Sequence, residues 1–180
     1  MGTPTPPQPA KLLIALLSAD PKLFTITIEQ LQRRYGLIDL KSKIFPWHAT
    51  NYYREEMGDA LLRQFVSFAE LIFPEDLIRI KLETNALEFT LADATAPQSL
   101  RRVNLDPGYL DVAKLVLAST KNQAHRLYLS QGIYGEATLL YHHKAFHPFI
   151  YTYEDYCWPE THAFLQQVRK RYLEQLRMKK

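Results

Sequence analysis

Cysteine is almost missing from this chain: Cys157 is the only one in 180 residues. One thiol cannot close an internal disulfide, so the fold does not depend on an oxidising compartment. The same scarcity excludes a C-x-x-C zinc site. Glycine is sparse too, with six copies. None of them forms the G-x-x-x-x-G-K-[ST] or G-x-G-x-x-G loop that cradles phosphates, and no G-x-S-x-G nucleophile elbow occurs. No apolar run approaches the roughly 20 residues that span a bilayer, so no membrane partner is expected. Residues 1–9 carry neither the basic nor the apolar part of a secretory signal. The Met1-Gly2 start has Pro6 where a myristoylation signal needs Ser or Thr. These absences point to the cytoplasm.

What is present suits one globular domain over residues 11–180, preceded by a leader. Pro4, Pro6, Pro7 and Pro9 leave residues 1–10 with few amide donors, so a disordered or extended segment is expected there. Tyrosine and phenylalanine, with 11 and 9 copies, favour strands. The net charge of +3 is unevenly spread. Residues 169–180 alone hold a balance of +5 (Arg169, Lys170, Arg171, Arg177, Lys179 and Lys180 against Glu174), which leaves about −2 for the rest. Basic residues closing an amphipathic helix complement its dipole, and that reading argues against a nucleic-acid surface.

Patterning gives a coarse architecture. Residues 11–18 form a continuous apolar run suited to a strand buried on both faces. Asp20 and Pro21 read as N-cap and first-turn proline; Phe24, Ile28, Leu31 and Tyr35 make one helical stripe, and Gly36 ends it. Alternation over 37–45 predicts a half-exposed strand, so the chain opens β-α-β. Residues 46–63 read as loop with a short helix, and 64–70 as a strand. Pro74, Glu75 and Asp76 start a helix whose stripe is Leu77, Ile80, Thr84, Leu87 and Leu91. Residues 93–99 read as loop. Residues 101–105 read as a strand ending in Asp106-Pro107-Gly108-Tyr109, a type II turn by composition. Residues 114–120 fit strand or helix, strands follow near 125–129, 133–142 and 146–151, and Phe164, Leu165, Val168, Tyr172, Leu173 and Leu176 face inward from a last helix. The fold class is α/β in the α+β sense. A mixed, largely antiparallel sheet opens β-α-β, in a layout of the ferredoxin-like kind, with late hairpins and a C-terminal helix.

Several segments together resemble an uncharacterised bacterial family, domain of unknown function 4416. They are NYYREEMG at 51–58, FVSF at 65–68, KLETN at 81–85 with Glu88, and RVNLDPGYLDVAKLVLASTK at 102–121, continuing through HRLYLSQGIYGE to Glu136. The NLDPGYL segment is the most specific. The resemblance implies a compact bacterial protein of this length and no established reaction. A GTP-binding label has been attached to similar chains. The only echo here of a guanine-reading N-K-x-D is Thr120-Lys121-Asn122-Gln123, without the acid.

Residues 104–136 concentrate polar side chains: Asn104, Asp106, Tyr109, Lys114, Lys121, His125, Arg126, Tyr128 and Glu136. Acids, bases and phosphate-binding donors in one stretch suit an anionic small-molecule ligand or acid–base work. Residue by residue the plainer reading is local: a braced turn at Asp106, solvated Lys114 and Lys121, and an Arg126–Glu136 cross-strand pair. Two hairpin registers are open after His125. A two-residue Gln131-Gly132 turn pairs Ser130 with Ile133. A three-residue Ser130-Gln131-Gly132 loop pairs Leu129 with Ile133 and sorts the faces, so it is preferred. That register puts Arg126, Tyr128, Tyr134, Glu136 and Thr138 on one side and His125, Leu127, Leu129, Ile133, Gly135, Ala137 and Leu139 on the other. His142, His143 and His147 cluster near a turn, but adjacent strand residues face opposite sides, so no metal is expected. Trp47, Tyr52, Tyr53, Tyr151, Tyr153, Tyr156 and Trp158 could stack on bases but suit core and rim packing better, and Cys157 reads as an ordinary thiol. No cofactor is implied, and the oligomeric state is not written in the sequence. The expected function is binding, with turnover in reach, of a phosphorylated or nucleotide-like small molecule. The alternative is a non-catalytic accessory protein that binds RNA or a protein partner through the basic C-terminal helix.

Overall fold

The computed structural model describes residues 2–50, 53–92 and 101–178. The loop expected at 93–99, Tyr52, Lys179 and Lys180 lie outside the described residues. The elements are β1 (Ala10–Ser18), α1 (Pro21–Tyr35), β2 (Ile38–Lys41), β3 (Phe45–Pro46), α2 (Arg54–Met57), β4 (Leu62–Ile72), α3 (Asp76–Thr90), β5 (Asn104–Leu110), β6 (Lys114–Ser119), β7 (Leu127–Ser130), β8 (Ile133–His142), β9 (Ala145–Pro148) and α4 (Pro159–Met178).

The sheet order is β2-β4-β1-β5-β6-β8-β7, with β3 on β4 and β9 on β8. β1 runs antiparallel to β4, and β4 antiparallel to β2, so β1 and β2 are parallel at one strand's remove. β4 and β5 have the same relation across β1. With α1 and α3 as crossovers, these four strands form the split β-α-β pair of a ferredoxin-like layout, and β6 to β9 extend it. Neighbouring strands in every described ladder pair antiparallel.

β1 holds the layers together because all nine of its residues are buried. Alternate side chains leave a strand on opposite faces. Leu12, Ile14 and Leu16 join Phe24, Leu31, Ile80 and Leu87 from α1 and α3. Leu13 and Ala15 join Phe65 and the α4 residues Phe164, Leu165, Val168 and Tyr172 on the other face. The expected stripes are buried at Phe24, Leu31 and Tyr35 of α1, at Leu77, Ile80, Thr84 and Leu87 of α3 and at Phe164, Leu165, Val168 and Tyr172 of α4, and half-buried at Ile28, Leu91, Leu173 and Leu176. Asp20 caps α1 by accepting from the Lys22 amide at 3.0 Å, and Gly36 ends it at φ 85.

The turn expected at Asp106-Pro107-Gly108-Tyr109 is instead the middle of β5. Two local facts allow it. The ladder to β6 starts only at Gly108, so Pro107, which has no N–H, stands where β5 has a single neighbouring strand, β1. Gly108 admits β6: a Cβ there would stand 2.4 Å from the Val116 carbonyl oxygen. The stretch at 114–120 resolves as strand β6. The expected 37–45 strand breaks into β2 and β3, and β9 stops at Pro148.

The β7–β8 hairpin combines both registers. Ser130 pairs with Ile133 across a two-residue turn in which Gln131 and Gly132 have φ of 52 and 76, correcting the three-residue loop. A bulge at Leu129 then restores the face-sorting register, with Tyr128 opposite Tyr134 and Leu127 opposite Gly135. A second irregularity lies in β8. Leu115 pairs with Leu139 but Val116 with Ala137, so Thr138 is the extra residue. Beyond it the alternation shifts. Leu139 packs with the α4-side cluster, whereas Ile133 packs with Leu77 and Ala118 on the α3 side; the expectation that they share a face is overturned.

Candidate functional site

Register places the site. Asp106 lies opposite Ala15 and Arg63 opposite Leu17, two positions on one face of β1, which packs on α4 at Ala15 and on Trp47, Met57 and Leu61 at Leu17. Leu117 lies opposite Gly108 and Glu136 opposite Leu117. Arg63, Asp106, Leu117 and Glu136 therefore point to one face, beyond the start of α4. Residues 47–50 with Tyr53, and residues 150–156, cover that end and border a cavity of about 460 Å³. Trp47, Tyr53, Tyr151, Tyr153 and Tyr156 supply aromatic wall, and Ser119, Lys121, Arg126, Glu154 and Asp155 contribute polar groups.

At one end Arg63, which is 3% exposed, bridges two carboxylates. Its guanidinium lies 2.6 Å from Asp155 Oδ2 and 3.3 Å from Asp106 Oδ2, and stacks near the Trp47 and Phe65 rings. Burial works against its charge, but Asp155 and Asp106 more than offset that and hold its pKa above the ordinary arginine value. Asp106 also accepts from Asn104 Nδ2 at 2.7 Å, and Lys81 Nζ stands 3.9 Å from its other oxygen. Burial alone would favour its neutral form. Lys81, Arg63 and the Asn104 hydrogen bond outweigh burial and hold the carboxyl below the usual carboxylate range.

The reach of α3 to this end has a backbone cause. Leu105 precedes the β6 ladder, so its amide and carbonyl lack that strand as partner. Glu88 Oε1 accepts from the Leu105 amide at 2.6 Å and Lys81 Nζ donates to its carbonyl at 2.8 Å. Burial raises the Glu88 pKa against the pull of Lys81. Arg101 links Glu88, Asn104 and Glu56 of α2, and its guanidinium lies 5.3 Å from the Tyr53 ring centre. Burial, with Asp106 nearby, raises the Tyr53 hydroxyl pKa, and burial raises that of Tyr156.

At the other end Arg126 donates through Nε to Glu136 at 2.6 Å, through Nη1 to Ser119 Oγ at 2.8 Å and to the Lys121 carbonyl at 3.1 Å, and through Nη2 to the Tyr153 hydroxyl at 2.8 Å. Glu136 also meets His125 Nε2 at 3.0 Å, and the His125 ring stacks on Tyr151 at 4.2 Å. Arg126 and Glu136 thus share a face as the register predicts. His125 joins them, against expectation, because β7 begins only at Leu127 and the strand alternation does not extend back to it.

Of the nine residues singled out from sequence, Asp106, Lys121, Arg126 and Glu136 line the cavity, and Asn104 and His125 brace those that do. Three lie elsewhere. Tyr109 packs on the α3 side beside Leu77 and Ala118. Lys114 pairs with Asp111, and Tyr128 is exposed on β7 with its ring against Tyr134. In a strand, neighbours in sequence divide between two faces, so a polar run cannot all converge. Arg63, Asp155, Trp47, Tyr53 and Tyr156 were missed as a group because they come from distant segments. Only their aromatic content stood out.

Among the described residues no group of three or more His, Cys, Asp or Glu side chains is placed to hold a metal. His142 stacks on His147 with ring centres 3.8 Å apart. At the basic end of α4, Arg169 donates to the Val112 carbonyl and covers the Tyr141 ring at 3.6 Å, so it serves the fold. No described helix is long and apolar enough to cross a membrane.

No curated protein and no solved structure is matched by this chain. The model of the domain of unknown function DUF4416 matches residues 8–172, the segment that carries the whole sheet and most of α4, and the chain belongs to that family.

Proposed function

We propose that this protein binds a nucleotide-like small molecule, a flat polar heterocycle with or without a phosphate, in the cavity between residues 47–50, with Tyr53, and residues 150–156. One observation carries the reading: two buried arginine–carboxylate pairs, Arg63–Asp155 and Arg126–Glu136, stand along a single cavity walled by aromatic rings. A volume of about 460 Å³ lies within the range of small-ligand pockets, which combine apolar wall with a few fixed polar groups. Aromatic side chains offer faces to any base, while carboxylates and guanidiniums fix orientation. Binding is the activity proposed. A bacterial cytoplasm is the setting that fits one exposed, unpaired cysteine.

A thermal-shift panel of nucleosides, nucleotides and sugar phosphates tests the reading. At least one nucleotide-like compound should raise Tm, and Ala49→Trp, which adds bulk to the cavity lining at a residue that belongs to neither ion pair, should abolish the rise while the variant alone still unfolds cooperatively. A panel without any shift, or a shift that survives Ala49→Trp, would overturn it.

A further inference from the structure

Resting on that reading, we infer that the cavity takes a nucleoside in preference to its di- or triphosphate, with Asp106 accepting a hydrogen bond from an amino or hydroxyl group of the ligand. The charge of the lining decides against a polyanion. Arg63, Lys121 and Arg126 face four carboxylates, Asp106, Glu136, Glu154 and Asp155. Arg126 is fully engaged, and of Arg63 only the buried Nε lacks a hydrogen-bond partner among the described residues. Arg63 is committed to Asp106 and Asp155, and Arg126 to Glu136, Ser119, Tyr153 and a backbone carbonyl. A triphosphate would bring several negative charges beside Glu136 and Asp155, buried carboxylates already paired with Arg126 and Arg63, and beside Asp106 and Glu154. Like charges at a partly buried site repel.

The polar groups left over are of a different kind. The Asp106 side chain is 27% exposed, against 4% for Arg63 and 1% for Asp155, so it is the member of its network that shows itself to the cavity. Its Oδ2 is engaged by Arg63 and Asn104, while Oδ1 has Lys81 no nearer than 3.9 Å. That oxygen is an acceptor with capacity to spare. Among the other lining residues, Trp47 Nε1 and the Tyr156 hydroxyl are buried with no hydrogen-bond partner among the described residues. Both are neutral donors. Buried polar groups are normally satisfied; neither atom is open to solvent, so a ring carbonyl or ring nitrogen of the ligand would pair with them after a small shift of the two rings. A carboxylate acceptor beside neutral donors and aromatic faces matches a base or its ribose, whose hydroxyls are favoured partners of carboxylates.

Isothermal titration of the full chain with adenosine, guanosine, cytidine and uridine, their mono- and triphosphates, and inorganic phosphate tests this. At least one nucleoside should bind about tenfold more tightly than its triphosphate, a difference of about 1.4 kcal/mol. Asp106→Asn should weaken that nucleoside about tenfold with the far-ultraviolet spectrum unchanged. A triphosphate binding more tightly than its nucleoside would overturn the inference and leave the nucleotide-like reading standing. Equal nucleoside affinity in wild type and Asp106→Asn would overturn the role of Asp106. No heat from any member would overturn both readings. Should Asp106→Asn fail to fold, the wild-type order of nucleoside against triphosphate still decides.

Discussion

Gly108 has no room for a side chain: beyond the Val116 carbonyl, a Cβ there would meet Leu117 Cδ2 at 2.6 Å. The obstacle is partly backbone, which cannot rotate away. Gly108→Ala should therefore cost about 1–3 kcal/mol, the range of overpacked sites, measured by urea denaturation. At Asp106 the residue scale also sets a pH dependence. Burial opposes its charge, but Lys81 and Arg63 depress the folded-state pKa below the unfolded one, so its ionisation stabilises the fold above the ordinary carboxylate pKa of about 3.9. That contribution falls away as pH drops through the depressed folded value. The stability gap between wild type and Asp106→Asn should hold from pH 7 to 5 and shrink below about pH 4. A gap that widens on acidification would contradict it.

Between β7 and β8 the turn and the ladder obey different demands. Two consecutive positive φ values at Gln131 and Gly132 are those of a type I′ turn, which favours Asn-Gly. Glutamine tolerates the left-handed region poorly, so Gln131→Asn should raise stability by about 0.5–1 kcal/mol, seen as a higher Tm with an unchanged denaturant slope. The ladder's demand is the pairing of Tyr128 with Tyr134 and Leu127 with Gly135, and the Leu129 bulge meets it. Sequence periodicity could read that demand, because a one-residue slip misplaces every side chain. It could not read how the turn would close. The same limit hid the strand at Pro107-Gly108, where local composition signals a turn and the approach of β6 overrides it. Helices were legible for the opposite reason. The stripes of α1, α3 and α4 repeat over several turns, and no single contact can cancel them. For the cavity, the Arg126–Glu136 pair was readable from one hairpin's register. Arg63 and Asp155, 92 positions apart, were not.

On the scale of the whole molecule, Lys11 joins elements from both ends of the chain. It is fully buried in β1, donates to Asp39 of β2 and, at 2.7 Å, to Gln175 of α4. Asp39 accepts from Ser67 of β4, and Gln175 donates onward to the Ala69 carbonyl. Burial lowers the Lys11 pKa, and the Asp39 carboxylate opposes that fall. A charge so placed is tolerated only with its partner, since removing one member of a buried pair strands the other. Lys11→Met preserves volume and packing but leaves Asp39 with Ser67 alone. It should lower stability by about 3 kcal/mol and release the last turns of α4, where amide exchange should quicken relative to α3. Adding Asp39→Asn removes the stranded charge, so the double variant should recover part of the loss. The two substitutions should therefore be clearly non-additive, as expected of groups in one network. Strict additivity, or unchanged exchange in α4, would mean that apolar packing of Phe164, Leu165 and Val168 holds the helix unaided.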